Sequence, residues 1–109
     1  MIIGIAGPYS APTEAERQKN LDRLNFFALE LIKKGHTPVI GIHAALPITK
    51  HLPEDQRYET GMQISLAVID ACEALLFIGS SPGADRERDL VMGKGLAVYA
   101  FLEEVPNSF

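Results

Sequence analysis

Ser80-Ser81-Pro82-Gly83-Ala84-Asp85-Arg86-Glu87 is the stretch of this chain richest in chemistry. It follows an apolar run that reads as a buried strand, and it opens a segment that reads as a helix. A strand that ends in small hydroxyl residues and a glycine, then enters a helix, makes an anion pocket. The amides of the first helical turn have no intrahelical partner, and the helix dipole favours negative charge there. Glu87 lies one turn into that helix. A carboxylate beside a phosphate-sized site suits chemistry on the sugar of a nucleotide, where a positive charge develops at the anomeric carbon. A second loop, Gly7-Pro8-Tyr9-Ser10, follows another apolar run and carries a phenol.

These loops need a scaffold. Ile2 to Ala6 is short, apolar and rich in β-branched residues, and reads as a buried first strand. Thr13, with Glu16 three residues on, is a capping box that starts a helix. Leu21, Leu24, Ala28, Leu31 and Ile32 give that helix one apolar face, and Gly35 ends it. Thr37 to Ile40 reads as the second strand, with Pro38 near its start. From Gly41 to about Arg57 the pattern breaks at Pro47 and Pro53, which predicts a long functional loop with at most one helical turn. A helix from about Tyr58 to Ala71 follows, then a third strand at Ala74–Ile78, apolar throughout and so covered on both faces. Pro82 to about Lys94 is the next helix, closed by Gly95. Leu96 to Phe101 is a fourth strand, and Glu103 to Phe109 a tail. Strands alternating with helices predict an α/β domain of three layers, Rossmann- or flavodoxin-like, around a parallel sheet of four to five strands. Ligands of such sheets sit beyond the carboxyl ends of the strands at the switch in strand order, where the loops after strands one and three meet.

Composition narrows the partners. The 109 residues fit one domain, 47% hydrophobic and 22% charged. A net charge of −4 argues against a nucleic-acid polymer or an anionic membrane as partner, but not against a small anion in a local pocket. The lone Cys72 precedes a buried strand and reads as a small core residue, with no disulfide or cysteine-based metal site available. No apolar run reaches the roughly 18 residues of a membrane span, and Met1–Ala6 lacks a basic leader region, so a cytoplasmic location is expected.

With these residues set out, the chain resembles the nucleoside 2-deoxyribosyltransferase-like superfamily, which includes nucleoside 5′-monophosphate N-glycosidases. Ile5-Ala6-Gly7-Pro8-Tyr9 looks like its first strand and loop, and Asn20 with Ala28, Leu31 and Gly35-His36 like its first helix and exit turn. Ala71-Cys72-Glu73-Ala74-Leu75 looks like its entry to the third strand. Ser81-x-Gly83-x-x-x-Glu87 looks like its catalytic signature, and Gly95-Leu96-Ala97-Val98-Tyr99 like its last strand. The resemblance implies cleavage or exchange of an N-glycosidic bond in a nucleoside or nucleoside 5′-monophosphate. Glu87 would be the nucleophile, Tyr9 its orienting partner, and Ser81 with the amides near Gly83 the phosphate site. It implies no metal or organic cofactor. It also implies a homodimer or higher homo-oligomer, because the family completes its site from a neighbouring subunit. One position departs. The family's proton-donating Asp stands eight residues before the acidic residue at strand entry, and counting back from Glu73 gives Ser65. A serine is no general acid near neutral pH.

That departure keeps a second reading open, a nucleotide-binding or sensor module without catalysis. A third is the lysine-decarboxylase-like phosphoribohydrolase group, whose Pro-Gly-Gly-x-Gly-Thr loop is a poorer match to Ser81-Pro82-Gly83-Ala84-Asp85. Further candidates around the ligand are Gly7, which leaves room for it; Ser80, a weaker anion partner; and Arg17 and Asn20, one turn apart, facing the phosphate or pinning the first loop. His43 and His51 lie in the long loop expected over the base, and Ser65 remains a hydrogen-bonding candidate.

Overall fold

The computed structural model describes all 109 residues. Their order is β1 (Ile2–Ala6), α1 (Glu14–Lys33), β2 (Thr37–Val39), α2 (Gly41–Thr49), α3 (Glu54–Ile69), β3 (Ala74–Phe77), α4 (Pro82–Gly93) and β4 (Ala97–Tyr99), then a 3-10 turn at Leu102–Glu104. The four strands form one sheet in the order β2-β1-β3-β4. Every pairing is parallel, with Ile3 opposite Ala74, Ala6 opposite Phe77, and Ile2 opposite Thr37. No fifth strand joins it.

Side chains alternate across a strand, so β1 and β3 each supply both faces of the sheet. Ile3, Ile5, Ala74 and Leu76 pack with Leu24 and Leu31 of α1 and with Val105 of the tail. Ala6 and Leu75 pack on the other face with Ile69, Cys72, Ala84 and Val91, under α3 and α4. The result is the expected three-layer Rossmann/flavodoxin-like arrangement.

Local chemistry fixes the helix ends. Thr13 Oγ1 accepts a hydrogen bond from the Glu16 amide at 3.1 Å, one half of the expected capping box. Gly35 and Gly95 take φ of 88° and 74° at the ends of α1 and α4, a region that costs a residue with a Cβ. Both helices close with the paired amide bonds of a Schellman turn, His36 N to Leu31 O with Gly35 N to Ile32 O, and Leu96 N to Val91 O with Gly95 N to Met92 O.

The segment expected as a loop from Gly41 to Arg57 is instead helical over most of its length. α2 occupies Gly41–Thr49, with Pro47 inside it, and α3 begins at Glu54 with Pro53 as its N-cap. Pro47 forfeits the bond to the His43 carbonyl, but packing offsets that loss. Ala45 and Thr49 are buried, and Ile42 packs against the core cluster under α1. α2 also lies tight on α3 at Gly41, where a Cβ would stand 2.8 Å from Ser65 O and 2.9 Å from Ser65 Cα. β2, β3 and β4 are each shorter than the apolar runs suggested, because pairing stops before the side chains cease to be apolar.

No helix is long and apolar enough to cross a membrane.

Candidate functional site

A cleft of about 1170 Å³ opens beyond the carboxyl ends of β1 and β3, between the loop after β1, the α2–α3 pair and the start of α4. Its position is the one the sheet order predicts: β1 leads outward to β2 on one side, and β3 to β4 on the other. A smaller hollow of about 470 Å³ lies against α1 and the tail, lined by Phe26, Phe27 and Phe101, and contains none of the expected site residues.

Glu87 is the chemical centre of the cleft. It sits one turn inside α4, only 8% exposed, and its Oε2 is buried with no hydrogen-bond partner. Burial pushes its carboxyl up to about 8, because the charged form loses its hydration and nothing nearby replaces it. No cation or backbone amide bonds that oxygen, and Tyr9, expected to orient it, does not reach it. Tyr9 does line the cleft with Gly7, and its backbone is fixed by Asn20, whose Nδ2 donates to Tyr9 O at 2.8 Å. Arg17 lines the cleft and donates to Ala11 O at 2.9 Å, so it also braces this loop. Gly7 is needed for packing as well as space, since a Cβ there would lie 2.6 Å from Ile78 Cγ1.

The entry to α4 is less open to an anion than its sequence suggests. Ser81 is the N-cap, and its Oγ accepts from Ala84 N at 3.1 Å. Pro82, the first helical residue, has no amide hydrogen. Of the first-turn donors, the Gly83 amide is the one that neither proline nor cap removes. Gly83 also admits Met62, whose sulfur would lie 3.1 Å from a Cβ there. Ser81 and Gly83 both line the cleft.

Three expected residues are engaged elsewhere. Ser80 Oγ donates to the Asp85 carboxylate at 2.8 Å and does not face the cleft. His43 is carried by α2 away from the cleft and bonds Asn25 Oδ1 at 2.6 Å, with burial lowering its basicity. Asn20 takes the second of its two expected roles, pinning the first loop, and does not line the cleft. His51 is exposed in the turn after α2. Ser65 does line the cleft, deep in it at 4% exposure.

Of the α3 face that forms one wall, the sequence reading named Ser65 but neither Tyr58 nor Met62 as a site residue. Tyr58, Met62 and Ser65 all line the cleft, spaced by four and then three residues. That spacing was legible within a helix expected from about Tyr58, but nothing in the sequence turned that face toward α4 and the cleft. Ile40, from the end of the expected second strand, with Ile42 and Ala45, from the supposed loop, adds an apolar wall. No three His, Cys, Asp or Glu side chains cluster closely enough to hold a metal ion.

No family model matches the chain, and a search of curated proteins finds no match.

Proposed function

We propose that this chain breaks the N-glycosidic bond of a nucleoside or nucleoside 5′-monophosphate, by hydrolysis or by base exchange. The observation that carries the reading is a single buried carboxyl, Glu87, with an unpartnered oxygen inside a cleft at the switch point of a parallel sheet. Leaving such a group buried costs stability, which is characteristic of residues kept for chemistry. In its ionised form Glu87 attacks C1′ of the sugar or stabilises the cation developing there. The C1′–N bond breaks, and its electron pair leaves with the base. The base takes its proton from solvent, since Ser65 stands where the resembled family has a carboxylic acid. Water or a second base then takes C1′ and frees Glu87. Ser81 and the Gly83 amide hold the 5′ end, and Tyr9 closes the opposite rim.

The test is chromatographic detection of free base from a panel of ribo- and deoxyribonucleosides and their 5′-monophosphates, with Glu87→Ala alongside. Base released by the native chain and lost in the variant supports the reading. Release that survives Glu87→Ala refutes the nucleophile. Ser65 and the raised proton affinity of Glu87 favour one rival, a nucleotide-binding module in which a neutral Glu87 donates a hydrogen bond to its ligand. Thermal stabilisation by a nucleotide with no base release identifies that rival.

A second copy of the chain belongs to the same reading. Phe26, Leu29 and Ile32 of α1 are 55%, 60% and 55% exposed, and Phe101, beside Phe26 in the smaller hollow, is 68% exposed. A mass of twice the monomer by light scattering tests the pairing. The cytoplasm is its expected compartment, with nucleosides or nucleotides as ligands rather than nucleic-acid polymers or membranes.

A further inference from the structure

A nucleoside brings a base with two flat faces, and a site for it needs aromatic or apolar cover. Tyr9 and Tyr58 are the two aromatic residues that line the cleft. Tyr58 stands on the α3 face that also carries Met62 and Ser65. Exposure along that face rises from 4% at Ser65 through 7% at Met62 to 47% at Tyr58, so the phenol ring lies at the mouth. Next to it is Arg86, the neighbour of Glu87 on α4, which does not itself line the cleft. The Arg86 guanidinium carbon lies 5.8 Å from the Tyr58 ring centroid, within cation–π range. Arg86 is anchored in turn by Glu59 at 3.1 Å, and the Tyr58 hydroxyl and the Glu59 carboxylate together strengthen its hold on its proton. The Tyr58 ring stacks with no other aromatic ring of the chain. The loop histidines expected over the base do not line the cleft.

We propose that Tyr58 is the platform on which the base of the ligand lies, with Arg86 as the positioning residue that holds its ring. The inference rests on the nucleoside reading and adds the element that recognises the base. An exposed tyrosine would otherwise sample several rotamers, and contact with a cation lowers the cost of ordering it when the base arrives. Stacking tolerates any base, so this platform supplies affinity, while the apolar wall of Ile40, Ile42 and Ala45 sets how large a base fits.

The test compares ligands with and without a base. Nucleosides and their 5′-monophosphates, and ribose and ribose 5-phosphate, are titrated calorimetrically into the full chain carrying Glu87→Gln, so that substrates stay intact. Adding Tyr58→Leu should weaken binding of the base-containing ligands about tenfold or more. Binding of ribose and ribose 5-phosphate should stay within about twofold, the scatter expected for a change that touches neither. Tyr58→Phe should retain affinity. Arg86→Ala should lose part of it, and Arg86→Lys should restore that part. Equal weakening of both ligand classes by Tyr58→Leu, or no weakening of either, overturns the platform while leaving the nucleoside reading intact. Failure of every ligand to bind before Tyr58 is changed overturns the nucleoside reading and the platform with it. Unfolding midpoints of the variants separate these outcomes from loss of fold.

Discussion

Replacing Glu87 with glutamine should stabilise the folded chain, and by an amount that grows with pH. The carboxyl has a reference value of 4.5 and is raised to about 8 in the folded chain by burial. Folding is therefore favoured by this group below the unfolded value, where both states carry the proton. As pH rises above 4.5 the unfolded chain releases its proton while the folded chain retains it, and stability falls until the folded carboxyl also ionises near 8. Each unit of that interval is worth about 1.4 kcal/mol, so the loss between pH 5 and pH 8 is about 4 kcal/mol. Glu87 is only 8% exposed, so solvent screening does not dilute this figure much. Glutamine has nearly the same shape and does not titrate. The assay is urea unfolding followed by circular dichroism on the native chain and Glu87→Gln, from pH 5 to pH 8. The stability gap should widen by about 4 kcal/mol over that range, with a difference in Tm of order 15 °C at pH 8. A gap that stays constant with pH refutes the argument, because it would mean that Glu87 is ionised in the folded state.

On the proposed function, the same proton sets how activity depends on pH. If Glu87 is the nucleophile, kcat/KM should rise with pH and level off above about 8, whereas a fall through that region would make it a proton donor. Gly41→Ala would place a Cβ 2.8 Å from the Ser65 carbonyl oxygen, so it should cost roughly 1–3 kcal/mol in urea unfolding by driving α2 off α3. Ser81→Ala removes the cap of the Ala84 amide and should cost about 1 kcal/mol of stability. In binding titrations it should also weaken nucleoside 5′-monophosphates more than nucleosides.

Much of the scaffold is written locally. The apolar runs at Ile2–Ala6 and Ala74–Phe77 are long enough and continuous enough to demand burial on both faces, which only the centre of a parallel sheet provides. Thr13 and Ser81 mark helix starts because a side-chain oxygen can satisfy an amide within three residues, and Gly35 and Gly95 mark helix ends because the left-handed turn excludes a Cβ. Glu87 was placed beside an anion site by its distance from Ser81 alone. Pro82 was also visible as a missing amide, although the sequence reading counted the whole first turn as donors.

What the chain decides only in three dimensions depends on neighbours far away in sequence. Pro47 reads as a breaker, yet α2 persists because Gly41 lets it settle on Ser65, about two dozen positions on. His43 has the chemistry of a ligand-binding side chain, but Asn25 occupies it, and no spacing rule anticipates a partner on another helix. Tyr58 becomes part of the cleft only when α3 turns that face toward α4. The protonation of Glu87 is the clearest case. Sequence gives a carboxyl at a helix start, where the dipole favours its charge; tertiary packing removes water from it without supplying a partner, and desolvation outweighs the dipole.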